Sequence, residues 1–120
     1  MAHILVHITT GPKNPTTAAL GFLAAKTAVD EGHEVSIFVA GDAVTLLRPE
    51  IVRELVGIGT GPLAKHVAEL DASAAQVFYS VLSAKARGLN EKRIAIGRAE
   101  PAMPHELGAL AVAADTVLCY

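Results

Sequence analysis

The sequence has a single cysteine, no tryptophan and few charged residues, which make up 18% of its 120 positions. One cysteine, Cys119, cannot form an internal disulfide, and such sparing use of cysteine is typical of a reducing compartment. No apolar stretch reaches the roughly 18 residues of a membrane span, and no basic segment followed by an apolar one indicates a signal peptide. We therefore expect a cytoplasmic protein that does not enter a membrane.

Charge of either sign is never concentrated in a block. The formal net charge is −2, whereas non-specific binding of nucleic acid requires a concentrated positive surface. We therefore expect no nucleic-acid partner. The one basic cluster suits a small anion better, and it comprises Lys85, Arg87, Lys92 and Arg93.

Hydrophobic residues make up 52% of the chain, but aromatic residues only 4%. The core must therefore consist of Ala, Val, Leu and Ile, as in parallel α/β folds. Because 120 residues are the size of one domain, this apolar share predicts that some of the surface is buried between subunits.

Apolar runs and turn residues predict strands that alternate with helices. Strands are expected at 3–9, 34–40, 76–79, 94–98 and 115–120. Helices are expected at 16–29, 42–47, 51–56, 63–70, 84–89 and 105–113. This alternation indicates one α/β domain over residues 1–120, a three-layer α/β/α sandwich with a mostly parallel five-stranded sheet. The first helix is apolar on nearly all sides, so one face should meet the sheet and the other another subunit.

Ligands of parallel sheets bind beyond the carboxyl ends of the strands. The residues expected to form such a pocket are Thr9, Thr10, Gly11, Asp42, Ser80, Ser83, Lys85 and Arg87. Hydroxyl and backbone N–H groups suit a small polar or anionic ligand, and the two basic side chains can direct positive charge at it.

Cofactor and metal sites are not expected. Residues 57–61 have the glycine spacing of a nucleotide-binding loop but follow no strand, so a plain glycine turn is the better interpretation. His3 and His7 lie about 13 Å apart along one strand, and the other three histidines fall on separate elements. A shared metal ion is therefore not predicted.

Three residues occur in an order that could form a catalytic triad, namely Ser80, His105 and Asp115. No Gly-x-Ser-x-Gly elbow surrounds Ser80. A structural role, in which the serine ends a strand and caps the next helix, accounts for Ser80 without any catalytic function. Cys119 on the last strand is expected to be a small core residue rather than a reactive thiol.

The segment from Ser80 to Leu89 resembles the DsrE/DsrF-like family of small sulfur-relay proteins. Residues 39–44, 61–63 and 114–118 strengthen the match, which spans nearly the whole chain. The resemblance implies a three-layer α/β/α domain with a five-stranded parallel sheet. It also implies assembly into homotrimers or homohexamers.

In active members of the family, a cysteine after the third strand carries a persulfide and passes sulfur to a partner protein. The matching position here is Ser80, and a hydroxyl cannot hold a persulfide because sulfane transfer requires a thiolate. The first interpretation is a non-catalytic homo-oligomer that binds a small ligand or a sulfur-relay protein in its pocket. The second is a sulfur carrier that uses Cys119, and the third an enzyme that uses Ser80, His105 or Lys85.

Overall fold

The computed structural model describes residues 1–120, and its centre is a five-stranded sheet in the order β6-β5-β2-β1-β7. Every neighbouring pair in this sheet is parallel. Its strands are β1 (His3–Ile8), β2 (Glu34–Val39), β5 (Gln76–Ser80), β6 (Glu100–Ala102) and β7 (Thr116–Cys119). A separate antiparallel hairpin consists of β3 (Val56–Gly57) and β4 (Gly61–Pro62).

Helices cover both faces of the sheet, which confirms the predicted α/β/α architecture. They are α1 (Pro15–Asp30), α2 (Pro49–Glu54), α3 (Leu63–Asp71), α4 (Val81–Ala86) and α5 (Pro104–Ala113). A 3₁₀ helix, Gly41–Leu47, lies between β2 and α2. None of the helices is both long and apolar enough to cross a bilayer.

The two faces of the sheet bury very different amounts of side chain. Side chains alternate between the faces along a strand, so Val6 and Ile37 join a larger core of 25 buried residues with α1, α2 and α3. Leu5 and Phe38 point the other way, into a smaller core of three buried residues beneath α5. The layer formed by α5 is therefore thin.

The helices that follow the neighbouring strands β5 and β6 pack on opposite faces of the sheet. Ser80 and Ala102 pair at their carboxyl ends. After Ser80 the chain enters α4, whose Ala84 lies in the larger core. After Ala102 it enters α5, which packs on the smaller core. In parallel α/β sheets such a divergence opens a crevice at which ligands bind.

Helix α1 begins one residue before its predicted start, because Asn14 caps it and Pro15 occupies its first position. Part of its outer face is covered by other elements of the same chain. Thr16 Oγ1 accepts a hydrogen bond from the N–H of Ile58 in the hairpin, and Lys26 bridges to Glu69 of α3. Leu20 of α1 is nevertheless 38% exposed, and α5 has no buried residue at all.

The predicted strand at 94–98 is also wrong, since that segment is irregular and the strand lies at Glu100–Ala102. Its apolar residues anchor a loop instead. Ile96 is fully buried in the larger core, and the N–H of Ala95 bonds to the carbonyl of Leu47 at 2.8 Å. Helix α4 begins three residues before its predicted start because Ser80 caps it.

Candidate functional site

The loops after β1 and β2 meet at the carboxyl edge of the sheet. A Cβ atom on Gly11 would lie 2.6 Å from the Cβ of Asp42, so only glycine allows this approach. Gly41 has φ +59°, a conformation that glycine adopts without steric cost. The two predicted residues Gly11 and Asp42 are therefore in direct contact.

Ser80 and Ser83 join the end of β5 to the end of β2. The Ser80 Oγ accepts a hydrogen bond from the N–H of Ser83 at 3.1 Å, and the Ser83 Oγ accepts one from the N–H of Gly41 at 2.8 Å. Ser80 is buried, with 8% of its surface exposed. Its hydroxyl thus caps α4, which agrees with the helix-capping role expected from the sequence.

The structure separates the residues of the hypothetical triad. Ser80 lies at the carboxyl edge of the sheet, whereas Asp115 precedes β7 at the opposite edge. There the Asp115 carboxylate accepts a hydrogen bond from the N–H of His3 at 2.7 Å. A triad of Ser80, His105 and Asp115 is therefore excluded.

Arg87 is already paired within the chain. Its Nε and Nη2 donate to Asp42 Oδ1 at 3.1 and 3.0 Å, and its Nη1 donates to the Ser83 carbonyl at 3.3 Å. The Asp42 side chain pairs with Arg87, and Ala40 takes the cap position of the 3₁₀ helix. Lys85 is exposed and has no ion-pair partner within 4.0 Å.

A cavity of about 260 Å³ opens beside the Gly11–Asp42 contact. It is lined by Gly11, Pro12, Lys13, Asp42 and Thr45. Sequence reasoning identified Gly11 and Asp42 but missed Lys13 and Thr45. The available signal was a lysine directly before the α1 cap Asn14.

The remaining predicted residues lie outside this cavity. Thr9 is exposed, and its hydroxyl donates to the carbonyl of Tyr120 at 3.2 Å. Thr10 is half-buried in the same loop. Ser80, Ser83 and Lys85 do not line the cavity either. The predicted residues therefore share one edge of the sheet without forming a single pocket.

Cys119 is exposed, so the expectation that it is a core residue is wrong. It pairs in register with His7, and His7 pairs with Phe38. Parallel partners point to the same face of a sheet, so the thiol and the imidazole are neighbours. The His7 ring lies edge-on to Phe38 with centroids 5.9 Å apart.

Burial lowers the pKa of His7 below its ordinary value of 6.5. Its Nε2 atom is buried and has no hydrogen-bond partner. The imidazole is therefore neutral at neutral pH, the form that can accept a proton from a thiol. No group of three or more His, Cys, Asp or Glu side chains is placed to hold a metal ion.

A five-stranded parallel sheet with helices on both faces and polar loops at its carboxyl edge defines a small three-layer α/β/α protein. The DsrE/DsrF-like family model matches residues 2–120, and the chain belongs to this family, which is related to sulfur-relay proteins. The crystal structure of the ychN protein from E. coli is similar, with a TM-score of 0.82 over the full length of both chains. At 21% identity this likeness establishes the fold. No curated protein matches the sequence.

Proposed function

We propose that this protein is a non-catalytic, cytoplasmic member of the DsrE/DsrF-like family that binds a small ligand or a partner protein at the carboxyl edge of its sheet. The observation that carries the proposal is the hydrogen bonding of Ser80. Its Oγ accepts the N–H of Ser83 and caps α4. The resemblance places the carrier cysteine of active relatives at this position, and a capping hydroxyl performs no sulfur transfer.

The cavity beside Gly11 and Asp42 supports a small polar or anionic ligand. Lys13 is exposed at its wall, and Asp42, the other charged group there, is neutralised by Arg87. The lysine therefore supplies the unpaired charge of the cavity. An ammonium group of this kind binds phosphate-like and sulfate-like anions as a point charge.

Self-association into a homotrimer or homohexamer is the second part of the proposal. Helix α5 has no buried residue, and its Val112 is 88% exposed. On the neighbouring edge strand β7, Val117 is 42% exposed. Apolar surface of this kind on a small protein is typical of a subunit contact.

Thermal unfolding in phosphate, sulfate and thiosulfate tests the ligand. We expect stabilisation that is lost in Lys13→Ala and kept in the control Lys65→Ala, an equal charge change at an exposed position on α3. A concentration of one hundred times the Kd would add about 2.7 kcal/mol to the free energy of unfolding. Equal responses of the two variants would contradict the cavity. Light scattering that finds a monomer would contradict the assembly.

One observation favours a second function, the exposure of Cys119 beside a neutral His7. As a carrier, Cys119 would pass its proton to His7, and its thiolate would attack the terminal sulfur of a donor persulfide. A new sulfur–sulfur bond forms on Cys119 as that of the donor breaks. The donor leaves as a thiolate and recovers the proton from His7.

The intact mass after incubation with a persulfide donor separates the two functions. The proposed binding protein gains no sulfur. A gain of one sulfur atom in the wild type but not in Cys119→Ser would establish the carrier. If His7→Phe then slows the gain without changing the final mass, the imidazole acts as the base.

A further inference from the structure

A second concave surface lies on the thinly covered face of the sheet, between α5 and the edge strand β6. Its volume is about 320 Å³, which is within the range of ligand-binding clefts. We call this surface the α5–β6 groove. It is lined by Phe78, Glu100, Pro101, Glu106, Ala109, Leu110 and Ala113.

The lining of the α5–β6 groove is apolar except for two glutamates. Phe78 is half-buried and stacks on Phe38 with ring centroids 6.5 Å apart, so its ring is held in place. Glu100 and Glu106 are both exposed, and neither has a cation within 4.0 Å. The groove therefore combines an aromatic ring with two carboxylates that form no ion pair within the chain.

The fold fixes the carboxylate of Glu106 and the backbone position of Glu100. Glu106 Oε2 accepts a hydrogen bond from the N–H of Met103 at 2.8 Å, which caps α5 and leaves the charge in place. Glu100 belongs to β6 and pairs in register with Phe78. Arg98 lines an adjoining recess that shares Phe78 and Glu100 with the groove, and its guanidinium donates to the carbonyls of Leu70 and Ala75.

An added strand is a poor occupant of this edge. Strand β6 has only three residues, and Pro101 at its centre lacks a backbone N–H. Short edge strands with proline resist pairing with another chain. An occupant must therefore be held by its side chains.

We propose that the α5–β6 groove binds a basic segment of a partner protein, with an arginine over Phe78 and its guanidinium paired with Glu100 and Glu106. Guanidinium groups stack on aromatic rings and form forked hydrogen bonds to carboxylates, whereas ammonium groups do so less well. Val112 and Val117, the exposed residues proposed for self-association, do not line the groove. The groove is also separate from the cavity at Gly11 and Asp42.

Amide NMR shifts of the full-length protein test the proposal with two matched probes. One is the acetylated and amidated peptide Ala-Leu-Arg-Leu-Ala, and the other carries citrulline, which is uncharged and of the same size, in place of arginine. We expect the arginine peptide to shift Phe78, Ala109 and Ala113. The citrulline peptide should bind at least tenfold more weakly, and added salt should weaken only the arginine peptide.

A double variant, Glu100→Gln with Glu106→Gln, should lose the preference for arginine, and glutamine at 106 still accepts the Met103 N–H bond. The control is Glu31→Gln with Glu34→Gln, an equal charge change at exposed positions that should leave binding unchanged. No groove shift at millimolar peptide, equal binding of both peptides, or unchanged binding by the double variant would overturn the proposal. So would groove shifts that depend on protein concentration alone, since a second copy would then occupy the groove. Failure of the Lys13 cavity affects none of these readouts.

Discussion

Arg87 and Asp42, 45 positions apart in the sequence, join the end of α4 to the start of the 3₁₀ helix. Nε and Nη2 of the arginine both donate to one carboxylate oxygen, Oδ1. The arginine side chain is 32% exposed and that of Asp42 is 69% exposed. A pair this accessible contributes at most about 1 kcal/mol to stability, so its main effect is to hold Asp42 against Gly11.

Arg87→Ala should therefore change the cavity more than the stability. We expect the free energy of unfolding in urea to fall by less than about 1 kcal/mol. The increase in the free energy of unfolding that the bound anion produces should fall at least fivefold. The reason is that the unpaired Asp42 carboxylate competes with the anion for Lys13. Arg53→Ala is the control, since Arg53 is exposed on α2. A loss of stability far above this limit would show that the pair is structural.

Gly11→Ala should destabilise the protein by about 1–3 kcal/mol, the usual cost of an overpacked site. The new methyl group would lie 2.6 Å from the Asp42 Cβ and 2.9 Å from its carbonyl oxygen. Urea unfolding measures the effect. Gly108→Ala is the control because nothing lies within 4 Å of a Cβ there, and it should be neutral or stabilising. Similar stabilities of wild type and Gly11→Ala would contradict the close contact.

Arg98→Ala should lower the free energy of unfolding by about 2 kcal/mol, because hydrogen bonds from charged groups contribute more than neutral ones. Its guanidinium donates to the carbonyls of Leu70, Ser73 and Ala75 and so closes the end of α3. Arg98→Lys should recover less than half of the loss, since one ammonium cannot reach three carbonyls. If Arg98→Lys restored the full free energy of unfolding, the positive charge alone and not the forked geometry of the guanidinium would account for the stabilisation.

Tyr79 donates a hydrogen bond to Glu91 at 2.8 Å. Burial, followed by this bond and the charge of Glu91, raises the pKa of Tyr79 to about 12. The neutral phenol is favoured in the folded state, so this contribution is complete below pH 10 and is lost as the pH rises toward 12. Tyr79→Phe should cost about 1 kcal/mol at neutral pH and remove the ultraviolet phenolate titration near pH 12. A titration unchanged by Tyr79→Phe would contradict this assignment.

His7 should make the protein less stable in acid. Because burial lowers its pKa in the folded state, the unfolded chain binds the proton more readily. Stability should therefore fall as the pH drops below 6.5 and level off below the folded-state pKa. His7→Gln should remove this part of the slope in urea unfolding at a series of pH values. Parallel profiles for the two proteins would mean that His7 titrates normally.

Local patterns predicted most of the fold. The predicted strand at 3–9 and the predicted helix at 16–29 each agree with β1 and α1 to within one residue at either end. The predicted strand at 94–98 was wrong because Ile94 and Ile96 have the alternating spacing of a strand, whereas in the structure they anchor a loop to the core. A pattern of apolar residues does not reveal whether the backbone has a neighbouring strand to pair with.

The site was less accessible to sequence reasoning because its parts depend on distant contacts. Lys13 becomes part of a cavity only when Gly11 packs on Asp42. Cys119 meets His7 only because β7 crosses back to pair with β1. Local sequence patterns do not determine the order of strands in a sheet or the contacts between distant loops. Neither the place of Lys13 in the cavity nor the pairing of Cys119 with His7 could therefore be predicted.

The pairing of β1 with β7 also determines when the protein can fold during its synthesis. The two strands are joined across 112 positions, from His3 to Asp115, and such distant pairings form slowly. Strand β1 leaves the ribosome first and must wait for β7, with one edge open to other nascent chains. The risk of aggregation therefore lasts until residues 116–119 have emerged.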